Sequence, residues 1–106
     1  MYASIRTYRV RAGSADEVMH RIDRDFAESL SREPGFVAYQ AIDMGDWKIA
    51  SMTVFHAREQ AEASNELAAQ WVAQELGDFD IERMGVMGGE VQVSRSSAEI
   101  LEAAHH

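Results

Sequence analysis

The chain has 106 residues, 46% of them hydrophobic and 26% charged, which suits a single globular domain able to bury its own core. It has no cysteine, so disulfides and thiolate metal sites are excluded. The net charge is −8 and Lys48 is the one lysine, which argues against nucleic acid as a partner because phosphate binding needs clustered cations. No run approaches a membrane span and Met1–Arg6 lacks a signal-peptide core, so a cytoplasmic protein without a membrane partner is expected.

Tyr2 to Val10 alternates and is rich in β-branched and aromatic residues, the pattern of a strand. Ser14 with Glu17 three positions on forms a capping box, and Ala15, Val18, Met19, Ile22, Phe26 and Leu30 then make one helical stripe. A continuous helix over residues 15–31 is predicted, stopped by Pro34 and turned by Gly35. Phe36–Ile42 reads as a second strand, Asp43–Asp46 as a turn, and Trp47–Phe55 as a third strand antiparallel to the second. Ala57, Ala61, Ser64, Leu67, Ala68, Trp71, Val72 and Leu76 are the stripe of a second helix, whose alanines let it lie close to a sheet; Gly77-Asp78 ends it. The glycine-rich segment 84–89 reads as a loop, with Met84 and Met87 filling gaps against the second helix or at a dimer seam, and Glu90–Ser94 as the fourth strand. Residues 1–94 form one domain and 95–106 a tail, either a short helix over 98–104 or disordered, with His105 and His106 set aside as a tag remnant.

The order β-α-β-β-α-β is that of an α+β, ferredoxin-like fold, an antiparallel sheet with two helices on one face. Its other face lacks a cover. The third strand carries apolar residues on both sides (Ile49 and Phe55 on one, Ala50, Met52 and Val54 on the other), so a homodimer through the open sheet face is expected.

The Gly13-Ser14 turn into the first helix, Glu33-Pro34-Gly35-Phe36 before the second strand, and Ser51-Met52-Thr53-Val54-Phe55 before the second helix resemble the antibiotic biosynthesis monooxygenase (ABM) family of the dimeric α/β-barrel superfamily. The likeness spans residues 2 to about 94 and lies in layout more than in catalytic residues. It implies a barrel-like dimer with a pocket between sheet and helices. It also implies a cofactor-independent monooxygenase acting on a small aromatic or polyketide-like molecule. The haem-degrading members carry an asparagine where Arg6 stands, and a helix tryptophan and histidine where Ser64 and Gln74 fall, so their pattern is absent.

Such chemistry needs an apolar pocket and a few polar groups to hold an anionic, electron-rich substrate. The candidate residues are Arg6, Tyr8, Tyr39, Asn65 and Trp71. Arg6 would pair with a phenolate or enolate; its plainer reading is a strand residue facing water. Trp71 would wall the pocket or simply fill the core, and Tyr8 and Tyr39 would line it or pack on the sheet with hydroxyls at the rim. Ser64-Asn65 is a poor helical pair, which marks either a pocket or an exposed position. No His or carboxylate spacing matches a metal motif, so no metal or cofactor is expected; His56 is a general base or, more plainly, an interface or capping residue. The alternative function is a non-catalytic small-molecule-binding or stress-associated dimer on the same fold, with its core packed shut by Phe26, Phe55, Trp71 and the methionines.

Overall fold

The computed structural model describes residues 1–97. The suggested helix over 98–104 and the terminal histidines lie outside the described residues. The elements are β1 (Tyr2–Val10), α1 (Ala15–Arg21), a π-helical turn (Ile22–Phe26), α2 (Ala27–Leu30), β2 (Phe36–Gly45), β3 (Lys48–Phe55), α3 (Arg58–Glu75), a 3-10 turn (Gly77–Phe79) and β4 (Ile81–Glu90). The sheet order is β2-β3-β1-β4, and every neighbouring pair is antiparallel. Among the described residues no helix is long and apolar enough to cross a membrane.

Strand alternation sets the two faces of the sheet. Ser4, Arg6, Tyr8 and Val10 of β1 and Ile49, Ser51, Thr53 and Phe55 of β3 are all buried. They form the side on which the helices lie, where Val10, Val18, Ile49, Leu76 and Phe79 make one core cluster and Phe26, Leu30, Phe55, Ala61 and Ala68 another. The buried positions of α3 are Ala61, Ser64 and Ala68, so the helix approaches the sheet through small side chains, as its sequence predicted. On the opposite face Ile5 stands between Met52 and Met87, Thr7 opposite Ala50, and Ala3 opposite Val54.

Four expectations are corrected. The first helix is not continuous α. It widens over Ile22–Phe26, where the N–H of Ala27 donates to the carbonyl of Ile22 five residues back. The β2–β3 turn falls at Asp46-Trp47 rather than Asp43–Asp46. Both residues have positive φ (51° and 64°), as a two-residue type I′ hairpin turn requires, so β3 starts at Lys48. Trp47 therefore leaves the strand and is 56% exposed.

The fourth strand is Ile81–Glu90, not Glu90–Ser94. The outer edge of β1 needs hydrogen-bond partners, and the segment read as a loop supplies them. Its glycines fit the site: a Cβ on Gly88 would sit 2.9 Å from the Tyr2 ring and 3.0 Å from the Ala3 carbonyl oxygen. The register shifts between Thr7 and Tyr8, a bulge that absorbs Met84. Of the two places expected for the methionines, the helix is not that of Met87, which is 63% exposed on the face opposite the helices, beside Ile5; Met84 is 49% exposed.

Candidate functional site

The polar residues in the middle of the helix-facing side converge on Arg6. It is the largest fully buried side chain of the described residues, with 0% exposure, so its reading as a water-facing strand residue is overturned. Its Nε donates to Ser51 Oγ (3.2 Å), its Nη1 to Ser64 Oγ (3.3 Å) and Asn65 Oδ1 (2.8 Å), and its Nη2 to Thr53 Oγ1 (2.6 Å). A guanidinium has five N–H donors; these bonds use four, and the charge lies close enough to Tyr8 for each to influence the other's ionisation. Every partner is neutral. Among the described residues no carboxylate pairs with Arg6, although Arg11, Arg21, Arg24, Arg32 and Arg58 all have one.

This explains the Ser64-Asn65 pair within α3. Ser64 is buried, accepts from Arg6 and donates to the Ala61 carbonyl; Asn65 accepts from both Arg6 and Ser4 Oγ (2.8 Å). Poor helix formers stand here because the arginine needs acceptors. Burial pulls the Arg6 pKa below its ordinary value, an effect opposed by Tyr8 and Tyr39. The guanidinium still holds its proton at neutral pH.

A cavity adjoins this network. Tyr8, Ile22, Phe26, Tyr39, Ser51 and Trp71 are among its lining residues. Arg6 stands behind Tyr8 and Ser51 rather than in the wall. The free space is about 390 Å³ counted out to the mouth, of which about 20 Å³ can hold the centre of a water molecule. One water needs roughly 10–15 Å³ by that measure, so an aromatic ligand enters only if the walls part. Phe26 forms the inner wall, edge-on to Tyr39 (centroids 5.6 Å) and tilted against Trp71 (5.4 Å). Ile22 and Phe26 are the two ends of the π-helical turn, which holds both side chains on the cavity; such turns recur at functional sites.

The two cavity tyrosines are shifted by burial. Tyr8 is raised, an effect that Arg6 and Arg83 oppose; Tyr39 is pushed up to about 12, with Arg6 the main opposing influence. Both stay neutral at physiological pH and can donate a hydrogen bond to an anion. A tyrosine whose folded pKa exceeds its unfolded value stabilises the fold below the unfolded value, near 10. That contribution is lost as pH rises through the folded value. Alkaline titration is therefore expected to show Tyr39 ionising near pH 12, with stability falling by on the order of 2 kcal/mol between about pH 10 and 12. Tyr39→Phe is expected to remove that loss in chemical unfolding measured across this range.

The structure thus brings together Arg6, Tyr8, Tyr39, Asn65 and Trp71: three line the cavity, and Arg6 and Asn65 back it. Ser51, Thr53 and Arg83 were missed from sequence, and Ser64 was marked only through the poor helical pair it makes with Asn65. Ser51 and Thr53 did carry a signal, two hydroxyls between Ile49 and Phe55 on one strand face. His56 is exposed and takes no part.

No family model and no curated protein matches the sequence. Solved structures do match. One from Deinococcus radiodurans, provisionally named an antibiotic biosynthesis monooxygenase, superposes with a TM-score of 0.67 over 92% of this chain and 98% of its own, at 13% identity. The chain has the ferredoxin-like fold. SnoaB, a cofactor-independent oxygenase from Streptomyces nogalater, superposes with a TM-score of 0.63 over 88% of this chain and 95% of its own, at 12% identity. A dimeric ferredoxin-like protein from an uncultured marine organism gives 0.65 over 91% of this chain and 98% of its own, at 11% identity.

Proposed function

We propose that this chain is an ABM-like oxygenase relative. It binds a small hydroxylated aromatic or polyketide-like molecule as its phenolate or enolate and oxidises it with O₂, without a resident cofactor. The observation that carries the reading is Arg6, a fully buried cation whose partners are all neutral, set behind the tyrosines of an apolar cavity. A fixed positive charge of this kind has no counter-ion to neutralise it. It strengthens the Tyr8 O–H as a donor and favours a ligand that becomes anionic beside it. Ionisation makes the ligand electron-rich, which reaction with O₂ requires. In the balanced step a CH₂ activated by the ring system becomes C=O and water forms. The substrate supplies all the electrons.

The protein works as a homodimer in which the open sheet face, with Ile5, Ala50, Met52 and Met87, packs on its copy. The apolar residues of that face and the dimeric ferredoxin-like neighbour support this. A second reading, a binding protein without turnover, is favoured by the narrowness of the cavity, about 20 Å³ as it stands.

An oxygen electrode separates the two. The probe is a hydroxyanthrone, a polycyclic phenol with an acidic ring CH₂, in chelator-treated buffer. Protein-dependent O₂ uptake, one per substrate lost and diminished in Tyr8→Phe, is the expected result. Saturable binding with uptake no faster than in buffer alone would leave the binding-protein reading. Neither binding nor uptake, for this probe or smaller phenols, would sink both.

A further inference from the structure

Tyr8 has a second cation beside it. Arg83 lies directly opposite Tyr8 in the β1–β4 register, on the helix-facing side, two residues along β4 from Ile81, which lines the cavity. Its Nη2 reaches across to α3 and donates to the backbone carbonyl of Asn65 at 3.3 Å. Asn65 is the residue whose side chain accepts from Arg6, so the two guanidiniums converge on one residue from two strands. Each is close enough to oppose the rise that burial gives Tyr8, and Arg83 adds to the lowering of Arg6.

Two cations held together repel, and the usual remedy is an acid between them. The chain has 18 acidic residues against 10 basic ones, so acids are not scarce. Even so, among the described residues no carboxylate pairs with either Arg6 or Arg83. The two differ in one useful respect. Arg6 is sealed in, with four donors spent on protein groups; Arg83 is exposed and spends one donor on a backbone carbonyl. Arg83 therefore keeps a fork of N–H groups at the β4–α3 rim, suited to a carboxylate.

We propose that Arg83 is a specificity-determining residue, and that the ligand of this site carries a carboxylate beside its hydroxyl. The substrate class is a hydroxy-aromatic acid. Its hydroxyl enters toward Tyr8 with Arg6 behind, and its carboxylate stays at the rim on Arg83. The inference rests on the reading of the cavity as a phenol site and adds the second anionic group. Arg83 discriminates between ligands at binding and takes no part in the oxidation.

The test compares 2-naphthol with 3-hydroxy-2-naphthoate by titration of the tryptophan fluorescence, on wild type, Arg83→Gln and Arg6→Gln. Wild type is expected to bind the hydroxynaphthoate about tenfold more tightly, the scale of one charge-assisted contact at a partly solvated site. Arg83→Gln is expected to remove that preference, bringing the two affinities within about twofold of each other, whatever its effect on 2-naphthol alone. Arg6→Gln is expected to weaken both ligands. Naphthol binding that depends on Arg6, with no carboxylate preference or a preference untouched by Arg83→Gln, would overturn the inference and leave the phenol site standing. Absence of binding by either ligand would overturn both. A preference that survives Arg83→Gln yet fades with added salt would place the carboxylate on general surface charge and count against Arg83.

Discussion

Arg6→Met is expected to keep the fold and to lose phenol affinity by about tenfold or more, the loss of one buried charge-assisted interaction. The two halves of this result have different origins. A buried guanidinium without a counter-ion forfeits several kcal/mol of hydration, which its bonds to Ser51, Thr53, Ser64 and Asn65 largely return. Methionine fills a similar volume and has no charge to desolvate. Asn65 Oδ1 keeps the Ser4 hydroxyl as a donor and Ser64 keeps its bond to Ala61, while the Ser51 and Thr53 oxygens each lose a donor. Stability is therefore expected to change by no more than about 1–3 kcal/mol, the cost of buried oxygens left without a donor set against the relief of a buried charge. The binding half depends on the charge itself.

4-Nitrophenol is a suitable reporter because its phenolate absorbs in the visible. Wild type is expected to bind the phenolate more tightly than the phenol and so to lower its apparent pKa. Arg6→Met should lose that shift. Thermal unfolding of the same samples reports stability. A variant that unfolds far more easily yet still shifts the bound nitrophenol would make Arg6 a structural residue and remove the main support for the proposed function. Arg6→Lys separates charge from geometry: it keeps one cation but cannot reach four acceptors on two elements, so partial recovery of the shift is expected.

The sheet and helices were readable because their signals are local and periodic: alternation from Tyr2 to Val10, steps of three and four from Val18 to Leu30, and alanines along α3. β4 was misread because its glycines answer to a neighbour. Gly88 suits a strand only because the Tyr2 ring and the Ala3 carbonyl occupy the space of its missing side chain. The π-helical turn left no mark in the sequence, since a step of four from Ile22 to Phe26 fits an α-helix equally well. The candidate site was readable in its chemistry and not in its geometry. The choice of Arg6, Tyr8, Tyr39, Asn65 and Trp71 rested on residue type. That Arg6 points inward follows from its alternation with Ser4, Tyr8 and Val10, and the deciding detail was Ser51, Thr53 and Ser64, distant in sequence, turning their hydroxyls to one point. Arg83 was lost with the strand that carries it.

The second large effect concerns the sheet face without helices. Met52 and Met87 flank Ile5 at its centre, with Ala50 and Val54 on the same side of β3 and Arg9 paired opposite Lys48 at one end. An apolar patch ringed by charge is the composition of an interface centre with its rim. A stable two-fold contact needs about 800 Å² from each partner, which one face of a four-stranded sheet can supply. Met52→Asp places a carboxylate at the middle of that contact, and two-fold symmetry places it there twice. Each buried, unpaired carboxylate is destabilising by several kcal/mol, enough to dissociate a micromolar or nanomolar dimer. Light scattering after size exclusion is expected to give wild type a mass of about twice 11.9 kDa and Met52→Asp the monomer mass, with unchanged far-ultraviolet circular dichroism. Gln70→Glu, exposed on α3 on the other side of the sheet, is expected to remain dimeric and serves as the charge control. A wild type that is monomeric at high micromolar concentration, or a Met52→Asp variant that stays dimeric, would move the interface off this face. The cavity lies on the other side of the sheet, between it and the helices. Loss of dimerisation should therefore reach the cavity only through the sheet itself, by way of β1, whose alternate residues serve both faces: Ile5 and Thr7 the open one, Arg6 and Tyr8 the one under the helices.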